Sequence, residues 1–218
     1  MILDITITPS MWRKTIEWRN NKWQQSVLDR LYYSKITEDT NGEETYAQPS
    51  VLAKAITAEL SVELVEAILY ADDGAAEVVK DFNSGTLTLG VDDIGPTVAA
   101  DLTGASTDDN GVLISASENV GTPVAVGFRA QRANGTYRYF WLYRVKFGLP
   151  ATNLQTKADS ITFSTPTIEG TVMRRNKLDG LGKHPWKAEV TEGDPGVSST
   201  TITGWFTEVY EPVYTPVP

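Results

Sequence analysis

Three acidic doublets, Asp72-Asp73, Asp92-Asp93 and Asp108-Asp109, are the residues of this chain whose types could do chemistry. Paired carboxylates can serve a glycosidase as acid and nucleophile, their separation setting the stereochemical outcome. Each doublet, however, stands at the end of a strand-like run beside Gly, Ile-Gly or Asn-Gly. There Asp bonds nearby backbone amides and favours turns, so the turn reading is preferred. DDNG at 108–111 has the opening of a calcium loop but lacks the further oxygen ligands and the bidentate Glu. GLGK at 180–183 lacks the spacing of a phosphate loop. His184 is the only histidine and there is no cysteine, which excludes a His-based or thiolate metal cluster within one chain. No local motif supports a Ser/His/Asp triad through His184. The expectation is a protein that is not an enzyme and uses no metal or cofactor.

The elements that would position these residues belong to a chain of ordinary globular composition. Its 218 residues are 41% hydrophobic and 22% charged, enough for one well-buried core. Absence of cysteine suits a reducing compartment. Net charge is −9, against the basic face that phosphate capture requires. Residues 1–27 hold Arg13, Lys14, Arg19 and Lys22 against Asp4 and Glu17, a balance of +2, so the remainder carries −11. No apolar run approaches the roughly 20 residues that span a bilayer. Asp4 stands where a secretory signal would be basic, a reading against export by that route.

Ile2–Thr8 alternates as a short strand, and Ser10 can cap a helix from Met11 to about Val27. Trp12, Ile16, Trp23 and Val27 share a stripe of that helix, which suits packing on the main domain or a neighbouring subunit better than a membrane surface. Strands are then expected at Leu31–Ile36, Val51–Ala58 and Val62–Ala71, with an acidic turn at Asn41-Gly42. Ile68–Asp93 reads as two strands of an extended hairpin, its return arm alternating Leu87, Leu89 and Val91 with Thr86 and Thr88. Pro96–Leu102 reads as a helix ended by Gly104. TDDNGVL at 107–113 turns into a strand. Val124–Ala130 and Tyr137–Phe147 flank Asn134-Gly135 as a hairpin, with Tyr137, Tyr139, Trp141, Tyr143, Val145 and Phe147 on one face. Large side chains on both faces of that second strand point to burial by a neighbour. Ser160–Arg175 is a long strand whose Pro166 suggests an edge or a bulge. Lys177–His184 is a flexible connection, Val197–Thr207 a C-terminal helix, and residues 211–218 an extended tail.

Several blocks in succession resemble the major tail tube protein of long-tailed, non-contractile bacteriophages, especially those of Gram-positive hosts. They are LYYSKITED (31–39), LAKAITAELS (52–61), LYADDGAAEVVKDFNSGTLTLGVDDIG (69–95), VAADLTGAS (98–106) and DDNGVL (108–113). TYRYFWLYRVKFG (136–148), TKADSITFSTPTIEGTVMRR (156–175) and GWFTEVYEP (204–212) continue the order. The resemblance divides the chain into an extension at 1–27, a tail tube domain at 28–212 and a tail at 213–218. It implies a mainly β (α+β) fold: a β-sandwich or barrel with one flanking helix, a long hairpin loop and terminal arms. It further implies rings, hexameric in this family, stacked into a hollow tube through which DNA passes without being held. Partners would be further copies of the chain and the tape measure, tail terminator and distal tail proteins, with no membrane. The location would be the virion tail, and the host cytoplasm before assembly.

Within this frame Ala71–Ser84 is the expected inter-ring loop. Gly74, Ala75 and Ala76 permit close backbone approach, and Val78, Val79 and Phe82 are apolar residues that a free loop does not need. Asp72, Asp73 and Glu77 are its acidic members. Glu59, Glu63 and Glu66 are the expected lumen-facing carboxylates, where acidic charge would repel a passing duplex. Three alternatives stand beside this reading: a tube or baseplate protein of a contractile tail or injection device, a β-sandwich carbohydrate-binding module stacking sugars on Trp141, Trp186 and Trp205, and a hydrolase using the acidic doublets.

Overall fold

The structure, a computed structural model, describes residues 25–38, 43–71, 74–149 and 166–214, the side chains at 25–27 and 67–78 excepted. The Ile2–Thr8 strand, most of the Met11–Val27 helix, the Asn41-Gly42 turn, Asp72-Asp73 and the first part of Ser160–Arg175 lie outside those residues.

The chain is mainly β. The first strand, β1 (Gln25–Glu38), contains the expected Leu31–Ile36 and starts earlier. Residues 25–27 are therefore extended where the amphipathic pattern put the end of a helix, and the boundary expected after residue 27 falls inside a strand. The physical reason is pairing: Gln25 and Val27 lie opposite Arg132 and Gln131 of β8 (Val124–Arg132), and ladder bonds override a local helical stripe. A short strand, β2 (Glu44–Tyr46), turns back along the end of β1. Next, β3 (Ser50–Ala53) and β4 (Ala55–Ala71) are separated only at Lys54, so the two strands expected at Val51–Ala58 and Val62–Ala71 are divided elsewhere. The return strand of the long hairpin is β5 (Gly74–Val91).

A helix, α1 (Pro96–Thr103), follows as expected, with proline in its first turn and Gly104 closing it at φ 73°, a left-handed conformation that glycine adopts without Cβ strain. The minor hairpin of β6 (Ser106–Thr107) and β7 (Leu113–Ile114) leads to β8 and to β9 (Tyr137–Phe147) around Asn134-Gly135. Next come β10 (Thr167–Met173), β11 (Lys187–Thr191) and α2 (Ser199–Gly204). Pro166 precedes β10, which lies between β9 and β5, so the expected edge position is corrected to a strand start inside the sheet. The C-terminal helix is shorter than Val197–Thr207, begun by the Ser198 hydroxyl accepting from the Thr201 amide at 3.1 Å.

Among the described residues nine strands form one sheet, which closes on itself. Its order runs β1-β8-β9-β10-β5-β4, all antiparallel, and β3, which continues through Lys54 into β4, pairs back onto β1. The kink is fastened from both sides: the Asp92 amide donates to the Lys54 carbonyl at 3.1 Å, and the Lys54 amide donates to the Asp92 carboxylate at 3.0 Å. Inside this barrel lie Leu31, Tyr33, Leu52, Leu87, Leu89, Val91, Val126, Phe128, Leu142, Ile168 and Val172, with Leu102 of α1 joining them. Closure removes the open edges along which such strands would otherwise pair with other chains.

A second core lies on the outside of β8 and β9. Tyr139, Trp141 and Tyr143 project outward and are covered by the chain's own C-terminal segment through Trp205, Phe206 and Val209. This corrects the expectation that a neighbour buries the second face. It also corrects the single face drawn through Tyr137–Phe147. Val126 lies opposite Leu142 but Val124 lies opposite Val145, so β9 carries one extra residue there. Such a bulge reverses the alternation. Beyond it Val145 and Phe147 enter the barrel beside Phe140 and Leu142, and Lys146 is exposed. Gly127 lies opposite Trp141, where a Cβ would meet the indole at 2.7 Å, so only glycine admits that ring.

Candidate functional site

Candidate chemistry resolves first into turn structure. The Asp92 carboxylate accepts from the Asp93 amide at 2.8 Å as well as from Lys54, and these backbone donors hold its pKa below the ordinary value. The Asp108 carboxylate accepts from the Asn110 and Val112 amides at 2.9 and 2.8 Å, and it too is lowered, chiefly by the Val112 amide. Both carboxylates thus cap turns, as their neighbours suggested. In KLDGLGKH the Asp179 carboxylate gathers the Leu181 and Lys183 amides, so this connection is an ordered turn. His184 places Nδ1 3.0 Å from the Arg175 carbonyl. Among the described residues no group of three or more His, Asp or Glu is placed to hold a metal ion.

The aromatic candidates separate by burial. Trp141 is fully buried, its Nε1–H donating to the Trp205 carbonyl at 2.8 Å, and Trp205 is 2% exposed. Neither offers a ring face to a sugar. Trp186 is half-buried and stacks on Phe82, with centroids 4.4 Å apart and rings 4° from parallel.

The feature left without an internal explanation is the far half of the β4–β5 hairpin. β10 pairs with β5 only between Val172↔Gly85 and Thr167↔Gly90. Beyond Gly85 the two strands pair, among the described residues, only with each other, from Glu63↔Ser84 out to Ala71↔Gly74. The expected inter-ring loop is therefore an antiparallel ribbon: Gly74, Ala75, Ala76, Glu77, Val78, Val79 and Phe82 all lie in β5. Val62, Leu64, Val65 and Val79 on it are 40%, 56%, 54% and 45% exposed. Cross-strand pairing puts Leu64 with Phe82 on one face, and Val65 with Asp81 on the other. Apolar groups thus appear on both faces. Sequence reasoning had picked residues of the return strand and missed Val62, Leu64 and Val65. Their close spacing on a strand that also carries Glu59, Glu63 and Glu66 was the available signal.

At the root of this arm lies a polar face. Glu59 is opposite Thr88, which is opposite Glu169; Ser61 is opposite Thr86, then Thr171, then Lys146. The Glu63 carboxylate accepts from the Ser84 hydroxyl at 3.0 Å. This outward surface of β4, β5, β10 and the end of β9 presents hydroxyls, carboxylates and the Lys146 ammonium, and no apolar side chain among the residues just named. Glu66 does not share it. By strand alternation it lies on the opposite face from Glu59 and Glu63, and its carboxylate pairs with Lys80 at 3.2 Å.

No protein-family model matches the chain, and no curated protein is significantly similar to it.

Proposed function

We propose that this chain is a structural, non-enzymatic protein that assembles with copies of itself, in the manner of a phage tail tube subunit. The observation that carries the reading is the free arm. A two-stranded ribbon alone is marginally stable in water, and this one exposes apolar groups on both faces. Docking of the arm on another subunit would bury Val62, Leu64, Val65 and Val79. A head-to-tail contact of that kind can close a ring or propagate along a tube. The ordered blocks of sequence that resemble tail tube proteins support the same reading. So does the hydroxyl- and carboxylate-rich face of Glu59, Glu63 and Glu169, which suits a conduit wall that repels a DNA duplex. On this reading the tape measure, terminator and distal tail proteins are its partners, and the virion tail its location.

The test is assembly after removal of the arm. Replacing Glu63–Ser84 by Asn-Gly, which forms the tight turn such a hairpin accepts, removes Leu64, Val65 and Val79, keeps Val62 opposite Gly85 and leaves the barrel intact. The expected outcome is a folded monomer that forms no rings or tubes by negative-stain electron microscopy at concentrations where the full chain does. Normal tubes from the shortened chain would overturn the role given to the arm.

A further inference from the structure

We infer that the β4–β5 arm pivots at Asn83 and that the stack of Trp186 on Phe82 holds it at its angle to the barrel. This inference concerns the arm's mechanics and stands whether or not the assembly reading does.

Glu63 lies opposite Ser84, but Leu64 lies opposite Phe82, so Asn83 is an extra residue in β5. A bulge of this kind interrupts the ladder and bends the strand. It sits two residues beyond Gly85, the last residue of β5 bonded to β10. Gly85 itself fits closely: a Cβ there would lie 3.0 Å from the Ser61 carbonyl and 3.4 Å from the Val172 Cβ. On the barrel side of Asn83, then, β5 is bonded on both edges and tightly packed. On the far side it is bonded, among the described residues, on one edge only. Stiffness changes abruptly at this point, which is what a hinge needs.

The bulge also re-aims Phe82. In β5 the odd-numbered Leu87 and Leu89 face the barrel, and unbroken alternation would send Phe82 to the opposite side. With Asn83 inserted, Phe82 returns to the barrel side and meets Trp186. Trp186 is itself anchored: its carbonyl accepts from the Tyr143 amide at 3.1 Å, and Lys187, next in the chain, pairs with Leu142 in β9. The Lys187 ammonium lies 5.2 Å from the indole centroid. The rigid body therefore extends one aromatic ring to the first residue of the arm past the hinge. A stacked aromatic pair is a weak directional contact, enough to bias an angle and small enough to be released by a competing contact.

Because the chain has no cysteine, two introduced ones take spin labels uniquely. Glu77→Cys on the arm and Lys146→Cys on β9 define a distance across the hinge. From Asn83 to Glu77 the ribbon is about 20 Å long, so a pivot of about 20° moves the label by about 7 Å. The otherwise native chain is expected to give one narrow distance distribution by pulsed electron resonance. Phe82→Ala and, separately, Trp186→Ala should each broaden it by several ångströms, while Trp186→Phe, which keeps a stacking ring, stays narrow. A control pair across the barrel, Lys146→Cys on β9 with Val51→Cys on β3, both exposed, reports whether the body still holds its shape and should not move in any variant. Narrow, unshifted arm distances in both alanine variants with an intact control pair would overturn the inference. Equal broadening of arm and control pairs would also overturn it, since the stack would then hold the barrel and not the arm.

Discussion

Trp141→Ala is expected to lower the free energy of unfolding by about 4 kcal/mol, the middle of the range for truncating a buried aromatic. The ring is fully buried between Gly127 and the C-terminal segment, and its N–H satisfies the Trp205 carbonyl. Removal leaves a cavity between barrel and cover and an unpaired buried carbonyl, two penalties that add. Urea denaturation checks the magnitude. Trp141→Phe should cost distinctly less, because it keeps most of the volume and loses only the hydrogen bond. A loss below about 1 kcal/mol for the alanine variant would mean that the C-terminal segment does not pack on β9 as described. Trp141 belongs to the outer core and the arm's root at Phe82 packs on the barrel core, so assembly defects in the variant should track unfolded protein and not the arm.

The second large effect concerns a buried charge. Glu44 in β2 is fully buried, and its carboxylate is bonded by the Arg144 guanidinium, which also meets Glu38. The second oxygen of Glu44 has no hydrogen-bond partner among the described residues. Arg144→Met would strand that carboxylate in the interior, and breaking a buried pair from one side costs about 3–5 kcal/mol. The double variant Glu44→Gln with Arg144→Met should recover most of the loss, because a neutral amide in place of the carboxylate no longer needs the cation. A double-mutant cycle by chemical denaturation reads the coupling directly. Additive losses would show that Arg144 acts through packing of its stem alone. Arg144 occupies the bulge of β9, so the same irregularity that sends Val145 inward turns this guanidinium toward β2.

Much of the fold was legible where local chemistry and tertiary pairing agree. The β8–β9 hairpin is announced by Asn134-Gly135 between alternating runs, and α1 by Pro96 and Gly104. The inward face of β5 follows from Leu87, Leu89 and Val91 alone. What stayed hidden were single-residue insertions. Nothing in the residue types at Asn83 or around Tyr143 marks a bulge, because the extra residue is defined by the partner strand, which the local pattern does not contain. Those insertions decide where Phe82, Val145 and Phe147 point, and so they decide the arm's root and the second core. The strand β11 was missed because five residues with Ala188 and Val190 on one side carry too short a period to register. The C-terminal segment was read as helix and tail, while its role as cover for Tyr139, Trp141 and Tyr143 depends on contacts more than 60 residues away, such as Tyr143 to the Tyr210 carbonyl. Of the candidate site, the hairpin and the apolar residues of its return strand were visible, and the continuation of its strands to Ala71 and Gly74, through the expected loop, was not.

The closure at Lys54 and the continuity of β4 and β5 into the arm bear on how load would travel. The arm is not an appended loop but the prolongation of two staves of the barrel. Tension applied at its tip runs along the strand axes, and the ladder bonds of β5 to β10 and of β4 to β5 lie across that axis, so they are loaded together in shear instead of one after another. Bending at Asn83 meets no such resistance. A ribbon of this construction yields sideways and holds lengthwise, as a strap does, and a pull on one molecule is delivered to the whole circumference of its barrel.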